Sequence, residues 1–179
     1  MLETVLIVAG VVLLVGLLGV GLAPTRVGYS ERVTVDAPAD RVFAHIACQQ
    51  DLMAWSAWPA ATGMSCRVEG ADARVGARLV YLKNGRPMGD QTVTELVPGE
   101  RVVLALSDPT PFGQVPVVAF DVTARGPDRS EVVLSFTNRF RRPFNLLVAV
   151  LRIPRWVQAL HRKDLHGLKA FCEGQPAAA

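Results

Sequence analysis

The chain reads as an α+β protein: a curved antiparallel sheet of six to seven strands around one long C-terminal helix, preceded by a membrane-spanning helix. Three observations predict this. Residues 5–23 carry no charge and no strongly polar side chain. From about residue 64 to residue 140 apolar side chains alternate with polar ones, in segments separated by tight-turn residues. From residue 155 the spacing changes to three and four, which is helical. A sheet with one apolar face needs a covering layer, and the last helix is the only element long enough to supply it. A strongly bent sheet gripping a single helix tends to leave space between the two.

The leader, VLIVAGVVLLVGLLGVGLA from Val5 to Ala23, contains thirteen Val, Leu or Ile and four Gly. Nineteen helical residues rise about 28 Å, close to the hydrocarbon thickness of a bilayer. A retained single-pass anchor is the preferred reading. The competing one is a cleaved signal peptide with Gly21-Leu22-Ala23 at the cleavage site. A signal peptide wants a basic start and an apolar core of about 7–15 residues. Here Glu3 is the only charged side chain before the core, and the core is longer. No Lys or Arg precedes the span, whereas Arg26, Arg32 and Arg41 follow it, with Glu31, Asp36 and Asp40 among them. That bias predicts an inner-membrane protein with its C-terminal domain in the cytoplasm.

Pro24 to Gly28 reads as a short linker, so that 1–28 is anchor and linker, 29–173 a single domain, and 174–179 a disordered tail. Tyr29–Val35 is a strand with Val33 and Val35 on one face. Asp36-Ala37-Pro38 starts a helix over Ala39–Ala47 that buries Val42, Phe43 and Ile46. A second short helical piece, Gln49–Trp58, ends at Pro59. Strands are expected at Met64–Glu69, Arg78–Lys83 and Met88–Val97, the last two joined by Asn84-Gly85, the dipeptide of a type I′ hairpin turn. Pro98-Gly99 forms the centre of a type II turn before the strand Arg101–Ser107. Asp108–Gly113 is a loop, Val115–Arg125 a strand, Gly126-Pro127-Asp128 a turn, and Ser130–Phe140 the last strand. Phe144–Ile153 is an apolar helix. Pro154 marks either a kink or the first turn of a new helix, and Arg155–Glu173 follows, with Val157, Leu160, Asp164, Leu168 and Phe171 on one face.

The net charge is +3, with sixteen Arg against three Lys. The excess is concentrated between Arg139 and Glu173, where two readings stand: a solvated helix face, or a surface resting on an anionic leaflet. Nucleic acid is not expected as a partner, since no aromatics interleave with the basic residues. Cys48, Cys66 and Cys172 form no CxxC pair and read as small buried hydrophobes in a reducing compartment. No zinc spacing, phosphate loop or nucleophile elbow is present, and no cofactor or metal is expected.

The wording of several segments resembles the START-like superfamily, also called SRPBCC or helix-grip proteins, and among them the bacterial polyketide cyclase/dehydrase-type members. The matching residues are Arg32-Val-Thr-Val-Asp-Ala-Pro-Ala-Asp-Arg-Val-Phe43, Trp55-Ser-Ala-Trp58-Pro59, Val75-Gly76-Ala77, Val93-Thr-Glu-Leu-Val-Pro98 and Lys163-Asp-Leu-His-Gly-Leu-Lys169. The resemblance covers roughly Tyr29–Glu173. It implies an apolar cavity between sheet and C-terminal helix that binds a lipid, sterol, polyketide, quinone or similar hydrophobic molecule. No catalytic set is shared across the superfamily, so none is carried over, and the leader is an addition to its pattern.

In such a fold the cavity is lined by Trp55, Tyr81, Val93, Phe120, Phe136, Asn138, Trp156, Leu160 and His161, each of which is equally at home in a plain core. Trp55 and Trp58 either cap the pocket or form a minicore. Asn138 shares the apolar face of its strand and needs a partner. His161, with Asp164 three residues on, is the candidate catalytic pair, a base and its orienter, or else a hydrogen-bonded pair at the core's edge. Phe144–Ile153, too short to span a bilayer and flanked by Arg139, Arg141, Arg142, Arg152 and Arg155, either faces the core or dips into the membrane interface. Three functions follow: a membrane-anchored, non-enzymatic binder of a hydrophobic molecule; a cyclase or dehydratase using His161 or a carboxylate; or a structural or partner-binding module with a filled interior. Oligomeric state is not legible.

Overall fold

The computed structural model describes residues 1–107 and 115–174. The leader is one helix, α1 (Leu2–Leu22), long and apolar enough to cross a membrane, with none of its residues buried. Only Ala23, Pro24 and Thr25 separate it from β1 (Arg26–Val35). The linker expected up to Gly28 is therefore largely strand. The reason is pairing: β1 runs antiparallel to β7 (Arg129–Arg139) without a break from Arg26 opposite Arg139 to Val35 opposite Ser130. A ten-residue ladder outweighs the weak local preference of Gly28.

Three short helices follow. The first, α2 (Ala39–Ala47), keeps its expected bounds and buries Val42, Ile46 and Ala47, while Phe43, expected with them, is half-buried at the core's edge. The piece expected over Gln49–Trp58 is two helices, α3 (Gln49–Trp55) and α4 (Trp58–Thr62). The break has a cause far away in sequence. The Asp164 carboxylate accepts from the Ser56 hydroxyl at 3.0 Å and from the Ala57 amide at 2.7 Å, holding the chain open there. Pro59 sits in the first turn of α4, where its missing N–H costs nothing.

The remaining strands are β2 (Ser65–Glu69), β3 (Arg78–Lys83), β4 (Arg86–Val97), β5 (Arg101–Ser107) and β6 (Val117–Gly126). All seven form one antiparallel sheet in the order β1-β7-β6-β5-β4-β3-β2. Asn84 and Gly85 both have positive φ, 52° and 75°, as a type I′ turn demands. Register shifts at Tyr81/Leu82, Val93/Glu95 and Ala124/Gly126 add local twist and bend the sheet. The loop expected at Asp108–Gly113 lies outside the described residues, as does the tail beyond Gly174.

The C-terminal layer is α5 (Phe144–Val150) and α6 (Ile153–Cys172). The chain breaks at Arg152, whose φ is 52°, and Pro154 falls in the first turn of α6. Of the two roles open to Pro154, the structure has the second. The α6 face toward the sheet buries Leu160, His161, Asp164, Leu165, Leu168 and Cys172. With Val35, Val42, Ile46, Leu79, Leu104 and Leu134 these form the core. Of the three cysteines, all free, only Cys172 is fully buried. Cys48 and Cys66 are half-exposed, and the Cys48 thiol donates to Asp72 at 3.3 Å.

Candidate functional site

The bent sheet does not close on α6 everywhere. Between them lies a cavity of about 320 Å³. That falls at the lower end of small-molecule pockets, about 300–1,000 Å³. Strands contribute Val27, Tyr81, Leu104, Leu106, Val118, Phe120 and Phe136 to its wall; α3 contributes Leu52 and Trp55; α6 contributes Ile153, Pro154 and Val157. Inward strand positions supply this lining because side chains two residues apart share a face.

Polar groups interrupt the apolar wall: Asp90, which accepts from the Ser107 hydroxyl and the Arg78 guanidinium, and two further groupings. The first is on α6. His161 is 3% exposed, and its Nδ1 shares a hydrogen bond with the Tyr29 hydroxyl at 2.8 Å. The rings of Tyr29, Phe136 and Trp58 surround it, with centroids 5.8, 5.3 and 6.0 Å away. Burial in this aromatic box pushes the imidazole down to about 4, so it is neutral at pH 7. Its Nε2 makes no hydrogen bond with a described residue. One turn on, Asp164 is buried, and burial drives its carboxyl up to about 6 against the opposing pull of its hydrogen bonds from the Ser56–Trp58 turn. The second grouping joins β3 and β4 to the start of α3. The Tyr81 hydroxyl donates to Gln91 Oε1 at 2.9 Å, and Gln91 Nε2 donates to Gln49 Oε1 at 2.8 Å. Burial raises the Tyr81 phenol well above its usual range, which keeps it a neutral donor.

Of the residues singled out from sequence, Trp55, Tyr81, Phe120, Phe136, Asn138 and His161 are on the cavity wall, and so are Trp58 and Asp164. Val93 and Leu160 are buried in the packed interior away from it, and Trp156 is exposed at the surface, edge-on to Trp58. Asn138 finds its partner locally: its Oδ1 accepts from the Arg139 amide at 2.7 Å. His161 and Asp164 share the cavity but not a hydrogen bond. Tyr29 orients the imidazole, while Asp164 caps the turn before α4. Sequence reasoning did not single out Tyr29, Gln49 or Gln91. Tyr29 and Gln91 lie on the inward phase of their strands, two residues from Val27 and Val93, so the signal was the alternation itself. Among the described residues no three His, Cys, Asp or Glu side chains converge as a metal site would require.

A family model described as polyketide cyclase / dehydrase and lipid transport matches residues 26–173. No curated protein matches the chain. Among solved structures, a protein from Nitrosospira multiformis is 20% identical with a TM-score of 0.59, over 80% of this chain and 94% of its own. An aromatase/cyclase from a Streptomyces species is 18% identical with a TM-score of 0.55, over 83% and 94%. The di-domain ARO/CYC StfQ of the steffimycin biosynthetic pathway is 13% identical with a TM-score of 0.60; this chain is matched over 84% of its length and spans 51% of that protein. At such identities these likenesses establish the fold.

Proposed function

We propose a function on one premise: the chain belongs to the polyketide cyclase / dehydrase and lipid transport family. The protein binds a single hydrophobic small molecule, lipid-, polyketide- or quinone-like, in the cavity beneath α6, and releases it unchanged. The observation that carries this reading is the void itself, about 320 Å³ walled mainly by aliphatic and aromatic side chains. Transfer of apolar surface into it contributes about 25 cal/mol per Å² buried. His161 Nε2 is the polar handle that meets a carbonyl or hydroxyl on the guest. A partner module with a self-filled interior is disfavoured by the same void.

The residues are poorly suited to His161 as a catalytic base. A general base works best with a value near the operating pH, and an imidazole at about 4 is a weak one. Asp164, at about 6, has a better-matched value and favours a second reading, acid–base chemistry of the cyclase or dehydratase kind. Its Oδ1, however, already takes two hydrogen bonds from the Ser56–Ala57 turn.

The protein acts from a membrane. Helix α1 is the anchor, spanning once at Val5–Ala23, and the Arg bias after it directs the domain to the cytoplasm.

Native mass spectrometry of the full chain released from lipid nanodiscs tests the binding reading. Wild type should carry one lipid-like mass, and Leu106→Trp, which fills the cavity from its wall, should lose it while keeping its thermal midpoint. An empty wild type, or equal loading of both proteins, contradicts binding in this cavity. A guest recovered lighter by one water supports the enzymatic reading instead.

A further inference from the structure

We propose that the corner between α5 and α6 is a membrane seat: it lies in the head-group region of the leaflet from which α1 emerges, and it turns that flank of the cavity toward lipid. The proposal rests on the reading of α1 as a membrane span and adds a second contact with the bilayer.

The joint between anchor and domain sets the depth. The last carbonyls of a helix lack intrahelical partners, and here side chains at and just before the start of α5 meet them. Asn145 Nδ2 donates to Val20 O and to Ala23 O, both at 2.9 Å, and Arg142 Nη2 donates to Gly21 O at 3.1 Å. The Leu146 methyls sit 3.3 Å from where a Cβ on Gly19 would stand, so the glycine lets α5 lie against the anchor. Gly19 is four residues inside the Ala23 end of the span, about 6 Å at the helical rise. Interfacial helices bury their apolar faces about 5–10 Å into the head-group boundary. Helix α5 is thus held at that depth by contacts to α1.

What the corner presents fits the same place. Leu147, Val150, Leu151 and Trp156 are 48%, 68%, 60% and 51% exposed, a concentration of large apolar side chains that water does not favour. In sequence Arg139 and Arg141 precede this corner and Arg152 and Arg155 lie within it, all exposed and none in an ion pair with a described residue. Exposed apolar side chains with exposed arginines close by in the chain match acyl chains beneath anionic head groups. Of the two readings open for Phe144–Ile153, interfacial and core-facing, each describes one side: Asn145 and Val148 are buried while Leu147 and Val150 face out. Ile153 and Pro154 belong at once to this corner and to the cavity wall.

Nitroxide labels on the full chain in vesicles of phosphatidylethanolamine and phosphatidylglycerol test the seat. Leu151→Cys and Thr123→Cys are both at exposed positions, the latter at the far end of the sheet; the unmutated chain corrects for labelling of the native cysteines. The label at 151 should lose collisions with a water-soluble nickel chelate yet keep those with oxygen, while the label at 123 keeps the nickel collisions. Nickel collisions at 151 equal to those at 123 overturn the seat and leave the anchor standing. Loss of both nickel and oxygen collisions at 151 means protein covers the corner, which also overturns it. Release of the chain from the vesicles by alkaline carbonate removes the anchor reading, and the seat with it.

Discussion

Two side chains one turn apart on α6, His161 and Asp164, titrate in opposite senses because burial acts on opposite charges. Asp164 is raised from 3.8 to about 6, so the folded state holds its proton more tightly than the unfolded chain. That contribution is complete below 3.8 and is lost as pH rises through about 6. His161 is lowered from 6.5 to about 4, so its contribution is complete above 6.5 and is lost as pH falls through about 4. The windows overlap and nearly cancel in the parent protein. Asp164→Asn keeps an acceptor for Ser56 and Ala57 but removes one of the two titrations. Relative to the parent, its stability should fall by about 2 kcal/mol more on acidification from pH 6.5 to 4, because the loss at His161 is no longer offset by Asp164, at ~1.4 kcal/mol per pK unit. Chemical denaturation of both proteins across that range measures it, and parallel profiles for variant and parent would contradict the assignment. The pair was visible in the sequence, but its wiring was not. Helical spacing places His161 and Asp164 on one face, yet the partner of each is more than a hundred residues away, Tyr29 for one and Ser56 for the other.

Helix α6 crosses the end of α3 at very short range. A Cβ on Gly167 would stand 2.1 Å from the Trp55 carbonyl oxygen, a backbone atom that cannot swing aside. Inside an exposed helix Gly→Ala stabilises by ~1 kcal/mol. Here Gly167→Ala should instead destabilise by several kcal/mol, since α3 and α6 must part and Trp55 with them. A thermal midpoint equal to or above wild type would show that the two helices are not in contact. How legible such elements were depended on where their determinants lie. Helix α2 and strands β3 and β5 were readable to the residue, because the Pro38 start, the Asn84-Gly85 turn and the Pro98-Gly99 turn are local signals. The split between α3 and α4 was not, being imposed by Asp164. Neither was the start of β1 at Arg26, imposed by β7. The chain's reversal at Arg152 is a left-handed residue that no Gly or Asn announces, so the nearby Pro154 drew attention instead.

At the scale of the whole molecule, the class and layer order were readable from periodicity, and the cavity followed from the bent sheet needing a cover. Its volume and its polar fittings were not readable, since they arise from long-range packing. The cytoplasmic orientation proposed above makes a direct prediction. A membrane-impermeant maleimide added to intact cells should leave Thr123→Cys unmodified and should label it after permeabilisation; labelling of intact cells would place the domain outside. Last, the joint between anchor and domain is short and clamped, with three residues between α1 and β1 and the carbonyls of Val20, Gly21 and Ala23 held from the α5 side. A domain mounted so stiffly has no arc to sweep. On the proposed anchoring and binding, it drifts with its own helix, and its search for cargo becomes a lateral walk in two dimensions. Encounters then scale with cargo per unit area of leaflet rather than with any concentration in the surrounding water.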